Sequence, residues 1–225
     1  MNDTVLIVAA HPDDEILGVG GTIARHVSRG DVVEILIVAE GATSRSDAED
    51  GDLAKLREAA NKAAQALGAS PPILLGFPDN KLDSVPLLDL IHAVEAHAKA
   101  LSPSIVYTHH RGDLNVDHRQ VHEAVLTAFR PLPGETVRAI YAFETISSTE
   151  WGVGPAFRPN HFVDIESVLE QKLEALSHYA MEMRDAPHAR SMDAVKALAQ
   201  MRGATVGLAA VEAFEVVRQI TSMET

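Results

Sequence analysis

Short apolar runs alternate with amphipathic segments along the first two thirds of the chain. Residues 5–9 form a continuous apolar run, and in residues 15–29 the apolar positions recur at helical spacing. Four more strands and three more helices follow in the same alternation; the strands are predicted at 32–39, 73–77, 105–108 and 137–145, and the helices at 53–67, 85–101 and 117–129. Strands without polar alternation are typical of a sheet covered on both sides. The pattern therefore predicts a doubly wound, mostly parallel, Rossmann-like α/β sheet with helices on both faces.

The last third of the chain departs from this alternation. It contains a predicted strand at 161–165, two predicted helices at 167–179 and 192–201, and an apolar segment at 206–217. No shift in composition marks a domain boundary. We therefore expect the last third to pack on the same sheet, so that residues 1–225 form a single domain.

The composition disfavours several classes of partner. The 225-residue chain carries a formal net charge of -13, which argues against nucleic acid and anionic membranes because both bind basic surfaces. No apolar run approaches the roughly 20 residues of a membrane-spanning helix. No leader pattern precedes the first strand, so we expect a cytoplasmic protein. Because the chain has no cysteine, any metal must be bound by histidine and carboxylate side chains.

Two polar clusters directly follow predicted strands. The first, residues 11–15, reads His-Pro-Asp-Asp-Glu and follows the first strand. The second, residues 109–118, follows the fourth strand and ends in an Asp-His pair. In open α/β sheets, ligands bind at the carboxyl ends of the strands, where such loops converge. The two clusters are therefore predicted to meet at one rim of the sheet.

The acidic residues of the first cluster can be explained in two ways. A single acidic residue there would complement the positive end of a helix dipole. Asp13, Asp14 and Glu15 together would repel one another, so a cation bound among them beside His11 is the more economical explanation. A dinucleotide-binding motif in the glycines that follow is rejected, because its third glycine would fall at Ile23.

The two clusters together contain enough ligands for a catalytic zinc site, which commonly has three protein ligands and one open position. His11, Asp14 and His118 can supply these ligands. Asp13 is then left beside the metal, where a carboxylate can act as general base. Spacing alone does not decide which aspartate of the pair binds the metal.

Three other histidines lie in or near the second cluster. A histidine that ends a strand commonly hydrogen-bonds its own loop, as expected for His109 and His110. His122 lies one turn after His118 on the predicted helix. For each of the three, a structural role is favoured over metal ligation.

These residues resemble the PIG-L/LmbE-like deacetylases, a family of zinc-dependent enzymes that remove N-acetyl groups from amino sugars. The resemblance rests on the Ala-His-Pro-Asp-Asp-Glu motif at 10–15 and on the later Asp-His pair at 117–118. The first motif is specific, and the remaining segments support it. They extend over most of the chain, at 57–58, 75–79, 141–144, 147–151, 172–179, 202–203 and 212–214.

The resemblance implies a role for each residue of the motifs. His11, Asp14 and His118 are implied to bind Zn²⁺, and Asp13 is implied to be the general base. The implied reaction is attack of metal-activated water on the acetamide carbonyl, with proton delivery to the departing amine and release of acetate. A site of this composition also suits Fe(II), Co(II) or Ni(II), and zinc is favoured by the resemblance.

One position departs from the family pattern. Many family members begin the second motif with a histidine, whereas this chain has Asn115, followed by Asp117; both are candidate catalytic residues. Asparagine donates a hydrogen bond but cannot shuttle a proton at neutral pH. Either Asp13 returns the proton to the amine or another group does so. We consider His188, which lies in a loop-forming segment near Arg190, as that group; the alternative is that His188 anchors its loop.

The sequence thus predicts a metal-dependent hydrolase that acts on the acetamide of a small N-acetylated sugar or sugar conjugate. Arg57, Arg111 and Arg190 are candidate contacts for an acidic group of the substrate, although each equally suits a surface ion pair. The alternatives are a hydrolase of another amide, an ester or a phosphoester, and a non-catalytic metal-binding module, against which a free Asp13 argues. Homo-oligomers are common among similar proteins, so self-association is also considered.

Overall fold

Seven strands and six α-helices are found in the computed structural model, which describes residues 2–41 and 51–221. The strands are β1 (Thr4–Ala9), β2 (Val32–Ala39), β3 (Ile73–Phe77), β4 (Ile105–His109), β5 (Ala139–Phe143), β6 (His161–Asp164) and β7 (Val211–Gln219). The helices are α1 (Asp14–Arg29), α2 (Asp52–Ala66), α3 (Leu87–Leu101), α4 (Val116–Ala128), α5 (Leu169–Ser177) and α6 (Met192–Ala204). Within the described residues, no helix has the length and apolarity that crossing a membrane requires.

All seven strands lie in one sheet, in the order β3-β2-β1-β4-β5-β7-β6. Strands β1 to β5 pair in parallel, which confirms the predicted α/β arrangement. The last two strands differ, because β7 runs antiparallel to both β5 and β6. The apolar segment predicted at 206–217 supplies most of β7, so the last third extends the same sheet.

Both faces of the sheet are buried. Successive side chains of a strand point to opposite faces. In β1, Val5 and Ile7 pack into a core that they share with α1, α2 and α5, whereas Leu6 and Val8 pack into a second core with α3 and α4. This double burial explains why the central strands are apolar throughout.

Close packing of α1 accounts for its glycines. A Cβ atom on Gly18 would lie 2.3 Å from the ring of Phe143, and one on Gly21 would lie 2.7 Å from Ile165. A larger residue at either position would push the helix away from its neighbours. These glycines are therefore explained by packing, which agrees with the rejection of a dinucleotide motif.

A buried ion pair joins α1 to the last third of the chain. Nζ of Lys172, on α5, donates to Oε1 of Glu212, on β7, at 2.6 Å and to the carbonyl of Leu17 at 2.8 Å. The Glu212 carboxylate also accepts the backbone N–H groups of Gly21 and Thr22. The bonding partners of both charged groups are thus supplied by protein side chains and backbone. We call this group the Lys172–Glu212 pair.

Candidate metal centre and its cavity

Strands β1 and β4 lie side by side at the centre of the sheet, where the chain changes its direction of winding. From β1 the chain proceeds outward through β2 and β3, and it then returns to add β4 and β5 on the other side. The loops after two such strands diverge and leave a crevice at the carboxyl ends. The polar clusters after β1 and β4 meet at this crevice, as the sequence predicts.

His11, Asp14 and His118 form a compact group, the ligand triad. Nδ1 of His11 and Nε2 of His118 each lie 3.2 Å from Oδ2 of Asp14. The three ligand atoms all lie within 4.8 Å of one another. Asp14 and His118 are buried, and His11 is partly exposed. Two imidazoles and a carboxylate at these separations fit a zinc ion with an open fourth position.

Each histidine of the triad has a carboxylate at its other ring nitrogen. Nε2 of His11 lies 3.0 Å from Oδ2 of Asp117, and Nδ1 of His118 lies 3.1 Å from Oδ1 of Asp113. Outer carboxylates of this kind orient metal-binding imidazoles and select their tautomers. Asp117, a predicted catalytic residue, is fully buried and also accepts the N–H of Leu82. From this position, the Asp117 carboxylate can hold the ring of His11 in a fixed orientation.

Two further aspartates, Asp79 and Asp113, belong to this site, although neither is among the predicted site residues. The hydroxyls of Ser148 and Thr149 donate hydrogen bonds to the Asp113 carboxylate. Oδ1 of Asp79 lies 3.4 Å from Nε2 of His11, so this nitrogen faces the carboxylates of both Asp79 and Asp117. Each of the two follows a strand, β3 or β4, and lies in a segment already named from the sequence, 75–79 or 109–118, and these are the signals that could have found them.

The three consecutive carboxylates of the first cluster have separate partners. Asp14 faces the two imidazoles of the triad. Oδ2 of Asp13 accepts a hydrogen bond from Nη1 of Arg190 at 2.9 Å, and Oε1 of Glu15 accepts one from the hydroxyl of Tyr179 at 2.6 Å. The expected repulsion is therefore relieved by three sets of partners, and only Asp14 among the three carboxylates belongs to the ligand triad.

Burial and these partners give the three carboxyl groups different acidities. Burial raises the pKa of Asp13 well above its usual range, and Arg190 opposes that rise. Burial also acts on Asp14, but the nearby imidazoles, that of His118 foremost, hold the pKa of its carboxyl well below the usual range. Burial raises the pKa of Glu15 to about 7. Asp14 is therefore suited to bind a cation, and Asp13 is suited to exchange a proton.

The backbone of Asp13 adopts an unusual conformation, with a φ of 111°. Its N–H donates to Oε2 of Glu15 at 3.0 Å, and its carbonyl accepts the N–H groups of Ile16 and Leu17 in the first turn of α1. Residues other than glycine are strained in this region, and such residues concentrate at functional sites. This geometry lets the adjacent side chains of Asp13 and Asp14 face different partners.

Arg190 reaches Asp13 from the loop that precedes α6. Its Nε donates to Oγ of Ser147 at 3.0 Å, and its Nη1 lies 4.0 Å from Oε2 of Glu182. Within the loop, Nδ1 of His188 accepts the backbone N–H of Arg190 at 2.9 Å. Arg190 is thus held by both its backbone and its side chain beside the candidate base.

A polar cavity of about 310 Å³ opens onto the ligand triad. It is lined by His11, Pro12, Asp13, Asp14, Gly41, Asp79, Asn80, Asn115, His118, Ser147, Ser148, Glu182, Arg184 and Arg190. Small-molecule sites begin at about this volume. The lining offers hydrogen-bonding groups on several sides, which suits a small, highly hydroxylated ligand.

Asn115 lines this cavity at the N-terminus of α4. Its Oδ1 accepts the N–H of Asp117 at 2.8 Å, which caps the helix, and its Nδ2 donates to Oδ1 of Asn80 at 3.1 Å. Asparagine is among the preferred residues at such a cap. Both polar atoms of the side chain are engaged within the protein, so Asn115 also secures the loop before α4.

Three of the predicted site residues lie neither in the cavity wall nor, like Asp117, directly behind the ligand triad. Arg57 is exposed on α2, and Arg111 is exposed in the loop after β4. His188 is exposed as well, and its hydrogen bond with the backbone of Arg190 matches the loop-anchoring alternative. Of the three candidate arginines, Arg190 is the one that the fold places in the cavity wall, where its partner is Asp13.

His109 and His122 are engaged in the protein's own structure. Nε2 of His109 accepts the N–H of Ala10 at 2.8 Å, and its ring stacks on His118 with the centroids 3.9 Å apart. Nδ1 of His122 donates to the carbonyl of His109 at 2.8 Å. Burial, reinforced by the neighbouring His118, holds the pKa of His109 well below its usual range. These contacts agree with the structural roles predicted for both.

Comparison with known proteins links this site to one family. The family model described as PIG-L, GlcNAc-PI de-N-acetylase, matches residues 6–129, which contain the whole ligand triad. The chain is 33% identical over 181 residues to the uncharacterized deacetylase YaiS of Escherichia coli K12, covering 78% of this chain and 89% of that protein. It is 28% identical over 185 residues to a probable N-acetyl-alpha-D-glucosaminyl L-malate deacetylase 2 of Bacillus anthracis, covering 79% and 80%.

The similarity also extends to a solved structure and to a relative with a different named activity. The N,N'-diacetylchitobiose deacetylase of Pyrococcus horikoshii has a TM-score of 0.78, at 21% identity, over 95% of this chain and 83% of that chain, which shows a shared fold. A 4-oxalmesaconate hydratase of Pseudomonas putida is 28% identical over 201 residues, covering 77% of this chain and 71% of that protein. With its motifs, its site and the matched family model, this chain belongs to the PIG-L (LmbE-like) deacetylase family.

Proposed function

We propose that this protein is a zinc-dependent N-deacetylase that hydrolyses the acetamide of an N-acetylated sugar or sugar conjugate. One observation carries the proposal: Asp13, a buried carboxylate outside the ligand triad, lies next to the triad in the wall of a polar cavity. A site that only binds a metal has no need of a strained, buried aspartate there. The deacetylase names of the relatives support the same reaction class.

The ligand triad provides the donor set for zinc. His11, Asp14 and His118 would hold the ion, and the carboxylates of Asp117 and Asp113 keep the two imidazole rings in position. When bound, zinc supplies a Lewis acid that polarises the acetamide carbonyl and increases the acidity of water.

Asp13 is the proton carrier in the proposed reaction. Arg190 holds its Oδ2, and we assign Oδ1 to accept the proton of the attacking water. The Asp13 carboxyl then returns that proton to the departing amine. Because Asn115 carries no titratable proton near neutral pH, this return removes the need for a second acid.

A panel of N-acetylated sugars tests the reaction directly. N-acetylglucosamine, N,N'-diacetylchitobiose and glycosides of N-acetylglucosamine are incubated with the protein, and acetate and free amine are measured with and without a chelator. We expect equimolar acetate and amine, loss of both on chelation and recovery when zinc is restored. Release that survives chelation, or no release from any sugar, would contradict the proposal.

The substitution Asp13→Asn separates the base from the metal ligands. Asparagine keeps the size of the side chain but cannot take the proton, so we expect kcat to fall about 10³-fold while the zinc content is retained. Asp89→Asn, at an exposed position on α3, is the matched control and keeps wild-type kcat. Wild-type turnover by Asp13→Asn would remove Asp13 from the mechanism.

A second candidate reaction is the addition of water to a carbon–carbon double bond, because one relative is named as a hydratase. Deacetylation is preferred because the relatives from Escherichia coli and Bacillus anthracis are both named as deacetylases. Incubation with unsaturated dicarboxylic acids, followed by ultraviolet absorbance, distinguishes the two reactions. Loss of the alkene absorbance without acetate release from any sugar would favour the hydratase.

A further inference from the structure

An apolar segment follows β5 near the cavity. Residues 151–157 read Trp-Gly-Val-Gly-Pro-Ala-Phe, a run without a charged side chain in a chain of which 23% is charged. Much of it nevertheless faces solvent: Trp151 is 51% exposed and Val153 is 100% exposed. Leu114, in the loop before α4, is 50% exposed. These three large side chains are called the apolar rim.

The apolar rim is continuous in sequence with the cavity wall. Leu114 directly precedes Asn115, and Trp151 follows Ser148 by three residues. Both Asn115 and Ser148 line the cavity. A ligand that enters the cavity therefore passes close to the loops that carry the rim.

The two loops of the rim are fastened to each other. Ser148 and Thr149 donate hydrogen bonds to Asp113, which connects the loop after β5 to the loop after β4. The backbones also touch, since a Cβ atom on Gly152 would lie 2.1 Å from the carbonyl oxygen of Gly112. The two loops that carry the rim are thus joined to each other beside the cavity, where their exposed apolar side chains can contact a ligand.

We propose that the apolar rim binds an apolar aglycone, an alkyl or aryl group attached to the acetamido sugar whose acetamide reaches the ligand triad. The inference rests on the proposed deacetylase function and narrows its substrate class. The cavity of about 310 Å³ has polar walls suited to the sugar. The group attached to the sugar then extends over Trp151 and Val153, where contact removes apolar surface from water.

Other occupants of the rim fit the observations less well. A standard interface between protein copies involves about 20–30 residues on each side, far more than the three side chains of the rim. An anionic membrane is repelled by a chain with a net charge of -13. An aglycone requires only a small apolar surface next to the cavity, which matches the size and the place of the rim.

Kinetics with matched substrates test the inference. We expect kcat/KM for the octyl and 4-nitrophenyl glycosides of N-acetylglucosamine, taken as both anomers, to exceed that for the free sugar about ten-fold in the preferred anomer. Val153→Ser and Leu114→Ser each lower this ratio. Leu208→Ser, at an exposed apolar position after α6, is the matched control and leaves the ratio unchanged. A wild-type ratio near one would overturn the inference.

Fluorescence gives a second test that needs no turnover. Trp151 is the only tryptophan of the chain, so its emission reports directly on the rim. Titration with octyl glucoside below its micelle concentration, a ligand without an acetamide, is expected to shift the emission to the blue and to saturate. Val153→Ser weakens this binding, whereas Leu208→Ser does not.

The outcomes separate the two proposals. If no sugar releases acetate, the deacetylase function fails, and the fluorescence titration still decides whether the rim binds an apolar group. If acetate is released but octyl glucoside gives no saturable shift, the rim inference fails alone. If light scattering shows a dimer that Val153→Ser dissociates, the rim is an interface between copies and the inference is wrong.

Discussion

The candidate metal centre and the Lys172–Glu212 pair are two groups of buried charge that contact the same helix, α1. In the pair, one ammonium meets one carboxylate, and backbone groups of α1 occupy further bonding positions. At the start of α1, three consecutive carboxylates share one arginine, one phenol and two imidazoles. In the pair, one positive charge balances one negative charge. The candidate metal centre has more acidic than basic groups at the start of α1 and faces an open cavity.

This difference shows how one helix can serve both stability and chemistry. A charge pair whose partners all come from the protein holds elements together and leaves no position for a ligand. A group that leaves carboxylate and imidazole atoms facing one point has a position for a cation. Substitutions in the two groups should therefore have different consequences, which the following predictions test.

The largest effect is expected from removal of a triad ligand. His118→Ala deletes one of the three ligand atoms, so we expect bound zinc to be lost and acetate release to fall to the level of chelator-treated protein. Zinc content is measured by atomic absorption, and folding by circular dichroism. His92→Ala, at an exposed position on α3, retains both zinc and activity. Full zinc occupancy in His118→Ala would contradict the assignment.

Disruption of the Lys172–Glu212 pair should lower the stability of the fold and leave the catalytic rate unchanged. Lys172→Met leaves Glu212 buried without its cation, so we expect the free energy of unfolding in urea to fall by about 3 kcal/mol. The folded fraction keeps wild-type kcat. The double variant Lys172→Met/Glu212→Leu should lose less than the sum of the two single losses, because no unpaired charge remains. Strictly additive losses would show that the two groups do not act as a pair.

The next prediction tests whether Arg190 takes part in the chemistry of the candidate metal centre. Because it holds one oxygen of Asp13, Arg190→Gln is expected to lower kcat about 10²-fold, with little change in KM or zinc content, and Arg190→Lys should recover part of the loss. Arg138→Gln, which breaks an exposed pair with Asp3, is the matched control.

A double variant shows whether Arg190 acts through Asp13. If it does, Asp13→Asn/Arg190→Gln has the same kcat as Asp13→Asn alone. A further loss in the double variant would assign Arg190 a separate role, such as contact with substrate.

The smallest effect is expected at the helix cap. Asn115→Ala removes the hydrogen bond to the N–H of Asp117, so we expect a loss of about 1 kcal/mol in the free energy of unfolding. Asn115→Ser keeps an acceptor at the cap and should lose less. If turnover falls further in Asn115→Ala than in Arg190→Gln, then Asn115 contributes to the chemistry beyond its structural role.

The sequence predicted the strands of the parallel part of the sheet best and the last strand least. Strands β2 and β3 match their predicted bounds because each is an apolar run flanked by polar residues or turn formers. The segment at 206–217 combines a turn with most of β7, and no local signal separates the two. Its antiparallel pairing with β5 depends on partners 71 (Phe143 and Phe214) to 80 (Ala139 and Gln219) residues away, which hydrophobic periodicity does not encode.

The site divides in a similar way between local and distant contacts. The sequence motifs predicted that His11, Asp14 and His118 act together. The three residues follow adjacent strands, and the structure brings them into one group. The contact of Arg190 with Asp13 was not predicted, because Arg190 approaches from a loop near the end of the chain and no spacing rule connects it to the first motif. Asp79 was assigned no role for a related reason: it lies in the supporting segment 75–79, but a single aspartate after a strand resembles an ordinary turn residue.

The change of winding direction between β1 and β4 also determines when the ligand triad can form. His11 and Asp14 are synthesised at least 118 − 14 = 104 residues before His118. At synthesis rates of about 5–20 residues per second, the first two ligands wait roughly 5–20 s for the third. Strands β2 and β3 are made in that interval, and β4 must then dock against β1. We therefore expect loading of the proposed zinc ion to be a late step of maturation, because the ligand triad is complete only after β4 has docked against β1.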